Sequence, residues 1–547
     1  MKKYLVLVAA LPALAFADGL NVSIDTEKTF QKIDNFAASD AWSGNFVGQY
    51  FEPAQKERIA KWLFSDKLGA DGNPEGIGLS MWRFNIGGGT LEQDGANIEP
   101  YQRRAESFLD KDSGVAKRKT KEYKALGKAG LSLSKTREVY DWDKCAGQMY
   151  FAKKAKEYGV AKLLLFSNTP LVQYTRNGQG YGVPNDSRAN LKPDCYGKFA
   201  DYMANVAKKF GELGLNVDYI SPINEPQVNW DSNRQEGSTW ACSEMKKILV
   251  ELDRALSEKN LDTQIYFGEL ANLKWAYSED MRPRWKDIPA EECPNFIIKK
   301  FYDPKSKFYV GDLKHMAKLV AGHSYHAHMR NSQMEKIHKA VAEEAAKYGI
   351  DYQQSEWSLL PHLTANRMDC FTKDWFSHNR ADIQTTLLLA RIVYSDFVNG
   401  GSTAWGYWKG MEVEGNHALV SVFPRNGRLE NGGVAEANKI LWGLGNYSFF
   451  VRPGFKRVEL SGAADLNKVA ATAYVSPDGK RVVAVFVNSS FDTDTAKISL
   501  PAKYASAKAS AFRTDSAMNL GNLRVAESAR EFVVAPRSIT TIVFDLK

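Results

Sequence analysis

The stretch SPINEPQVNW, residues 221–230, follows the apolar run VDYISPI (217–223) and decides the fold class. The run has the composition of a buried strand, and Pro226 stops it because a proline has no backbone N–H to donate to a sheet. Glu225 is therefore predicted at the carboxyl end of a strand, where a lone acid could also be an ordinary loop residue. The pattern of the rest of the chain decides between these two interpretations.

Eight β-rich runs recur along the chain, and segments with helical spacing of apolar residues separate them, as in AGQMYFAKKAKEYG (146–159). The predicted strands cover residues 33–41, 79–87, 162–170, 217–225, 264–270, 322–326, 351–357 and 402–408. This alternation predicts an α/β fold, a (β/α)8 TIM barrel over residues 33–449. A doubly wound sheet is disfavoured because no GxGxxG turn opens a helix.

The pattern changes near residue 450. The segment KVAATAYVSPDGKRVVAVFVNSS (468–490) predicts two strands around a Pro-Asp-Gly-Lys turn, and later runs continue as β. We expect residues 450–547 to form a β-sandwich side domain. Residues 18–32 are also strand-like, and we expect them to add N-terminal strands to that sandwich.

The first 17 residues, MKKYLVLVAALPALAFA, have the pattern of a secretory signal peptide. Lys2 and Lys3 precede an apolar run that is too short to span a bilayer. Ala15-Phe16-Ala17 has the small-x-small form of a cleavage site. We therefore expect a secreted or periplasmic protein, cleaved after about Ala17, without a membrane partner.

The charge and cysteine patterns narrow the class of partner. The formal net charge is +8, and basic residues concentrate in residues 102–137. That stretch also carries acidic residues and few aromatics, so a solvated insertion around residues 113–138 is favoured over a nucleic-acid surface. The five cysteines are widely spaced without a CxxC pair, which disfavours a metal knuckle and leaves disulfide pairing open. They are Cys145, Cys195, Cys242, Cys293 and Cys370.

A second glutamate gives Glu225 a chemical context. Glu225 ends the fourth predicted strand, and Glu356, in QQSEWS (353–358), ends the seventh. Active sites of (β/α)8 barrels lie at the carboxyl ends of the strands, and strands four and seven face each other across the barrel. Two carboxyl groups in one cleft are what glycoside hydrolysis requires, because one protonates the leaving oxygen and the other attacks the anomeric carbon.

Five motifs occur in an order that resembles glycoside hydrolase family 30, nearest to its endo-β-1,6-galactanase-like branch. They are WRFNIGGG (82–89), RRAESFL (103–109), YDWDKCAGQMYFAKKAKEYGV (140–160), INEPQVNWDSNRQEG (223–237) and SEWS (355–358). The resemblance implies a retaining double displacement, with Glu225 as acid/base and Glu356 as nucleophile. Retention implies carboxyl groups roughly 5–5.5 Å apart.

The resemblance also implies roles for residues around this pair. Asn224 would hydrogen-bond the sugar 2-hydroxyl, and Arg83 would steady the charge of the nucleophile. Tyr325, with His323 as a second candidate, would hydrogen-bond the nucleophile from the sixth strand. We expect Arg83 to face into the barrel and Trp82 to face the surrounding helices, because neighbours on a strand alternate.

Position on the strands also suggests aromatic and supporting residues. We expect the ring of at least one of Trp405 and Trp408, on the eighth strand, to form the base of the sugar-binding site. Glu269, on the fifth strand, is interpreted as support. The segment HSYHAH (323–328) could indicate zinc. No carboxylate or further histidine lies at ligand spacing, so neither a metal nor another cofactor is expected.

The expected substrate is a polysaccharide or oligosaccharide, with endo-β-1,6-galactanase as the expected activity and a monomer as the expected state. Ser238 stands where the family pattern has a cysteine, and SNTPLVQYT (167–175) is looser than the usual proline-rich turn. β-1,6-Glucanase, xylanase and exo-β-glycosidase activities therefore remain alternatives. A catalytically dead carbohydrate-binding protein is a further alternative, which the presence of both glutamates and Arg83 disfavours.

Overall fold

The computed structural model describes residues 19–93, 95–110, 138–279, 286–326, 330–359, 382–413, 415 and 417–546. The predicted signal peptide, almost all of the predicted insertion, His328 and Cys370 lie outside these residues. The first described strand is β1 (Leu20–Lys32), which belongs to the second of two large sheets.

The first large sheet is parallel and closes into a barrel. Its strands are β2 (Asn35–Ser39), β3 (Met81–Asn85), β4 (Lys162–Phe166), β5 (Tyr219–Ser221), β6 (Gln264–Ile265), β7 (Leu319–His323), β8 (Asp351–Trp357) and β9 (Ala404–Lys409). The hydrogen-bonded order is β6-β5-β4-β3-β2-β9-β8-β7. Bridges between Ile265 and Met316 and between Leu270 and Gly322 join the two edge strands. The predicted eight-stranded barrel is confirmed.

Helices surround the barrel. Those described are α1 (Ser43–Tyr50), α2 (Pro53–Phe64), α3 (Ala146–Glu157), α4 (Tyr196–Glu212), α5 (Cys242–Glu258), α6 (Ile297–Tyr302), α7 (Asn331–Lys347), α8 (Ile383–Val398) and α9 (Lys439–Ser448). In α4 the buried side chains Phe199, Met203, Val206 and Phe210 follow the spacing that places apolar residues on one helix face. No described helix combines the length and the apolar character that crossing a bilayer requires.

Side chains of each barrel strand alternate between the barrel interior and the helix layer. Trp82 packs edge-on against Phe64 of α2, with ring centroids 5.0 Å apart, in the layer between strands and helices. Arg83 lies in the interior, with its guanidinium 4.7 Å from the ring centroid of Phe166. The predicted orientations of Trp82 and Arg83 are therefore confirmed.

The second large sheet forms the side domain and includes both ends of the described chain. Besides β1 its strands are β13 (Lys456–Ser461), β14 (Val469–Val475), β15 (Arg481–Asn488), β16 (Asp494–Ser499), β17 (Lys508–Thr514), β18 (Gly521–Asn522), β19 (Glu531–Val534) and β20 (Ser538–Asp545). Between the two large sheets along the chain lies a small sheet of β10 (Met411–Val413), β11 (Val420–Pro424) and β12 (Gly433–Ala437). Strand β1 pairs antiparallel with β13 and parallel with β16.

The side-domain sheet folds back over itself. Its order is β18-β17-β20-β15-β14-β13-β1-β16-β19, which separates β20 from β19 by five strands. Phe532 of β19 and Phe544 of β20 nevertheless pack with ring centroids 5.9 Å apart. Side chains from both halves of the sheet share one apolar core. This is the two-layer packing of a β-sandwich, as predicted for the side domain.

Strand β15 ties the two units together because both of its faces are buried. Val482, Ala484 and Phe486 lie in the sandwich core, whereas Val483, Val485 and Val487 belong to the large core shared with the barrel helices. Helices α8 and α9 pack on this second face of the sheet. The sheet therefore covers apolar helix surface that would otherwise meet water.

We expect a chain that ends at residue 449 to be insoluble or unfolded. The cut removes β13 and β16, the two partners of β1, and uncovers the buried sides of α8 and α9. Soluble yield and the thermal unfolding midpoint, measured beside the full chain, check this expectation. A truncated barrel that is soluble and folded would show that the side domain is dispensable for folding.

Candidate active site

Glu225 lies in the loop after β5 and not on the strand itself, which ends at Ser221. Its φ is +44°, in the left-handed region that costs energy for a residue with a side chain. The Glu225 N–H donates to the carbonyl oxygen of Glu269 at 2.9 Å, and Trp230 Nε1 donates to the carbonyl oxygen of Glu225 at 3.2 Å. These two hydrogen bonds hold the backbone from which the Glu225 carboxyl group projects.

Glu356 is the penultimate residue of β8, and both of its carboxyl oxygens have partners. Tyr325 donates its hydroxyl to Oε1 at 2.9 Å, and Arg83 Nη1 donates to Oε2 at 3.3 Å. Burial raises the pKa of the Glu356 carboxyl, and the positive charges of His323 and Arg83 oppose that rise. The contacts expected from Tyr325 and Arg83 are both present.

Glu269 is a third carboxyl group at the same end of the barrel, with no exposed surface. Arg83 Nη2 donates to its Oε1 at 3.1 Å, and the Ser355 hydroxyl and His323 Nε2 both donate to its Oε2. Burial alone would raise the pKa of Glu269, but the charge of Arg83 and the hydrogen bond from His323 lower it to about 2. Glu269 is therefore ionised at neutral pH and supports the site as a carboxylate.

His323, at the end of β7, links two of these carboxyl groups. Its Nδ1 lies 2.8 Å from Glu225 Oε1, and its Nε2 lies 2.9 Å from Glu269 Oε2. Burial would lower the pKa of His323, but the charge of Glu356 and the hydrogen bonds to Glu225 and Glu269 raise it to about 10. The ring is thus an imidazolium that donates from both nitrogens.

The position of His323 corrects one expectation. Its Nδ1 is 3.7 Å from Glu356 Oε1, which is beyond hydrogen-bonding distance, so Tyr325 donates to that oxygen and His323 serves Glu225. The sixth barrel strand covers residues 319–323, three residues earlier than predicted, and Ser324, Tyr325 and His326 form a 3-10 turn after it. The turn carries Tyr325 past His323 to Glu356.

The site brings the two predicted catalytic carboxyl groups close together. One carboxyl oxygen of Glu225, one of Glu356 and a ring nitrogen of His323 all lie within 4.8 Å of one another. An inverting enzyme needs a gap of roughly 6.5–9.5 Å to hold a water molecule, so this spacing suits direct attack by a carboxylate. The same three groups also have the composition of a metal site, since histidine and carboxylate side chains are common metal ligands.

The side chains of the two tryptophans of β9 face opposite sides of the strand, and only one of the two reaches the barrel interior. Trp405 faces the helix layer, where its Nε1 donates to Asp396 Oδ2 at 3.0 Å, so of the two candidates for the sugar site Trp408 remains. Trp408 faces inward and meets Trp42 edge-on, with centroids 5.3 Å apart. Residues 405 and 408 differ because side chains alternate along a strand.

Two further features surround the pair. Asn224 is buried, and its Oδ1 has no hydrogen-bond partner in the described part of the chain. Trp42 was missed from the sequence, although it directly follows the first predicted strand, a position that signals the active-site end of a barrel. Lys409 stands over the Trp42 ring at 5.2 Å from its centroid and forms a buried ion pair with Glu412.

The low pKa of Glu269 predicts a pH-dependent stability. A carboxyl group with a pKa near 4.3 in the unfolded chain and about 2 in the native state stabilises the fold above pH 4.3 and loses that effect as the pH falls towards 2. We expect wild type to exceed Glu269→Gln in free energy of unfolding by about 3 kcal/mol at neutral pH. Urea unfolding should show this difference shrinking between pH 4.5 and 2. A difference that stays constant over that interval would contradict the low pKa.

Comparisons with known proteins agree with this geometry. A family model described as O-glycosyl hydrolase family 30 matches residues 19–130 and 128–420. An endo-β-1,6-galactanase from Hypocrea rufa is 23% identical over 266 residues, which is 46% of this chain and 51% of that protein. The chain thus matches about half the length of this relative.

Solved structures share the whole fold. The crystal structure of a conserved exported protein from Bacteroides fragilis is 29% identical, with a TM-score of 0.82 over 96% of this chain and 100% of that chain. The catalytic domain of a family 30 xylanase C from Talaromyces cellulolyticus is 18% identical, with a TM-score of 0.63 over 96% and 100% of the two chains. Since the family model covers well over half of the chain, the chain belongs to O-glycosyl hydrolase family 30.

Proposed function

We propose that the chain is an endo-β-1,6-galactanase in which Glu356 is the nucleophile and Glu225 is the acid/base. The observation that carries the assignment of the residues is the approach of a Glu225 oxygen and a Glu356 oxygen to within 4.8 Å beside two buried cations. The assignment of the substrate rests on the 23% identity with a galactanase and on the motifs that resemble that branch of the family.

In the first step Glu356 attacks the anomeric carbon and displaces the leaving oxygen. Arg83 and Tyr325 each hold one carboxyl oxygen of Glu356, which fixes the orientation of the attacking group. Glu225 donates its proton to the leaving oxygen as the glycosidic bond breaks, and a covalent glycosyl-enzyme forms. Glu356 loses its negative charge when this bond forms. Arg83 and Tyr325 then lie against the oxygens of the ester.

In the second step Glu225 accepts a proton from water, and that water attacks the anomeric carbon to regenerate Glu356. The cations of the site support this cycle. Arg83 and His323 carry two positive charges, which the carboxylates of Glu269 and Glu356 balance. During the first step Glu225 becomes a carboxylate as Glu356 becomes a neutral ester, so two carboxylates face the two cations both before and after the step.

Substrate recognition in this proposal uses the polar and aromatic groups beside the pair. Asn224 Oδ1, which lacks a partner within the described residues, accepts a hydrogen bond from the sugar 2-hydroxyl. Trp408 and Trp42 offer ring surface to the sugar at the inner wall. The signal-like residues 1–17, and similarity to a protein described as exported, support action outside the cytoplasm.

We expect Glu225→Gln and Glu356→Gln each to reduce turnover of a polysaccharide by at least ~10²–10⁴-fold, because general acid catalysis alone contributes that much. The double variant should lose little more than either single one, since the pair acts as a unit. On an aryl glycoside with a good leaving group, Glu225→Gln should lose less than Glu356→Gln, because departure needs less help from an acid.

Steady-state rates on both substrates check these roles. Glu436→Gln, the same change at an exposed position of β12, is the matched control and should leave both rates unchanged. Wild-type-like rates from either active-site variant, with the fold intact by circular dichroism, would remove that residue from the assignment. Equal losses of kcat/KM on the aryl glycoside, a quantity that reports the glycosylation step and not the later attack of water, would remove Glu225 as the acid.

The substrate is tested with defined polysaccharides. We expect long β-1,6-galactan to be shortened to a range of oligosaccharides, which sizing of early products by chromatography would show. Release of only one small product would indicate exo action. Preference for β-1,6-glucan or xylan would replace the galactan assignment and keep the catalytic one, whereas inactivity on every substrate would favour a carbohydrate-binding protein.

A further inference from the structure

A buried polar cluster lies behind β7, on the side that faces the helices. At its centre is Asp396 of α8, which has no exposed surface. Ser324 donates its hydroxyl between the two carboxyl oxygens of Asp396, at 3.1 and 3.2 Å. Tyr352 OH donates to Oδ1 at 3.0 Å, and Trp405 Nε1 donates to Oδ2 at 3.0 Å. We call these four residues the Asp396 cluster.

His338 of α7 completes the surroundings of the Asp396 cluster. Its Nε2 lies 3.2 Å from Asp396 Oδ1, and its Nδ1 lies 2.9 Å from the Ser395 hydroxyl. Serine, histidine and aspartate thus occur together, but they do not form a nucleophilic triad. Ser324 bonds the carboxylate directly and not the imidazole, and all three side chains have no exposed surface, so a substrate cannot reach them.

Ser324 connects the Asp396 cluster to the active site, because it is the chain neighbour of two active-site residues. Ser324 stands between His323 and Tyr325, and each of these neighbours contacts a catalytic carboxyl group. His323 lies 2.8 Å from Glu225, and Tyr325 lies 2.9 Å from Glu356. The backbone turns at this point from β7 into the 3-10 turn 324–326, where backbone pairing with the neighbouring strands ends.

We propose that Asp396, acting through Ser324, is a positioning residue that sets the placement of His323 and Tyr325 against the two catalytic carboxyl groups. Among the described side chains of residues 323–325, that of Ser324 anchors the segment to the helix layer by its hydrogen bond to Asp396 of α8, whereas His323 and Tyr325 bond the carboxyl groups of the site. This inference rests on the proposed roles of Glu225 and Glu356. Without the anchor the turn can shift, and a displacement of about 1 Å near the reacting groups costs up to ~10²-fold in rate.

The test is Ser324→Ala, which removes the anchor without substituting any residue that contacts a catalytic carboxyl group. We expect kcat to fall by about 10- to 100-fold while KM stays within about 2-fold, because His323 and Tyr325 act on the carboxyl groups and not on the bound sugar. Any substrate that wild type cleaves can be used. Ser395→Ala is the matched control, since it removes a serine hydroxyl with no exposed surface beside Asp396 that contacts His338 and Asn399.

The control separates positioning from general support. We expect Ser395→Ala to keep the wild-type kcat even if its unfolding midpoint falls as much as that of Ser324→Ala. Wild-type kcat in Ser324→Ala, a rise in KM alone, or an equal loss of kcat in Ser395→Ala would each overturn the proposal. If Ser324→Ala does not fold, Asp396→Asn, which keeps the side-chain shape, takes its place with the same expected outcomes.

Failure of the positioning role can be distinguished from failure of the catalytic assignment, because different variants test the two. Should Glu356→Gln keep its activity, the proposed nucleophile is wrong whatever Ser324→Ala does. Should both Glu→Gln variants be inactive and Ser324→Ala be fully active, the catalytic pair stands and the positioning role of Asp396 falls.

Discussion

The burial of Arg83 inside the barrel is the constraint on which the rest of the site depends. A guanidinium without exposed surface must be matched by anions, because removing one partner of a buried ion pair costs about 3–5 kcal/mol. Glu269 and Glu356 supply the match, at 3.1 and 3.3 Å. This single requirement places Glu269, which is ionised at neutral pH, and the predicted nucleophile on either side of one cation. It also creates the negative surroundings that keep His323 protonated.

The carboxyl groups reach their positions through backbone outside the regular strands. Glu225 and Glu269 both have φ near +40°, a conformation that residues with side chains avoid, and one hydrogen bond between their backbones joins them. Short strands make this possible, since β5 and β6 end at Ser221 and Ile265 and leave the chain free to turn. The barrel strands fix where each loop begins, and the loop backbone sets the direction in which each carboxyl group points.

Periodicity and strand count could be predicted from the sequence, but side-chain geometry past the strand ends could not. The seventh barrel strand was predicted without error, and the alternation of Trp82 and Arg83 followed from the strand rule. The sixth strand was misplaced by three residues, because the polar run around His323 carries no period that marks where pairing stops. Trp405 and Trp408 were both candidates for the sugar site, because the sequence alone does not show which of two residues three positions apart on a strand faces the barrel interior.

The helix layer links the side domain to the chemistry, although that domain adds no described residue to the candidate site. Phe397 of α8 packs on Phe36 of the barrel and on Tyr474 of the side-domain sheet, with centroids 5.7 and 6.1 Å away. The neighbouring residue, Asp396, accepts the hydrogen bond from Ser324 at the end of β7. Helix α8 is therefore fixed from both sides, and its carboxylate is placed as firmly as the core around it. Packing against the sheet thereby supports the turn that carries His323 and Tyr325.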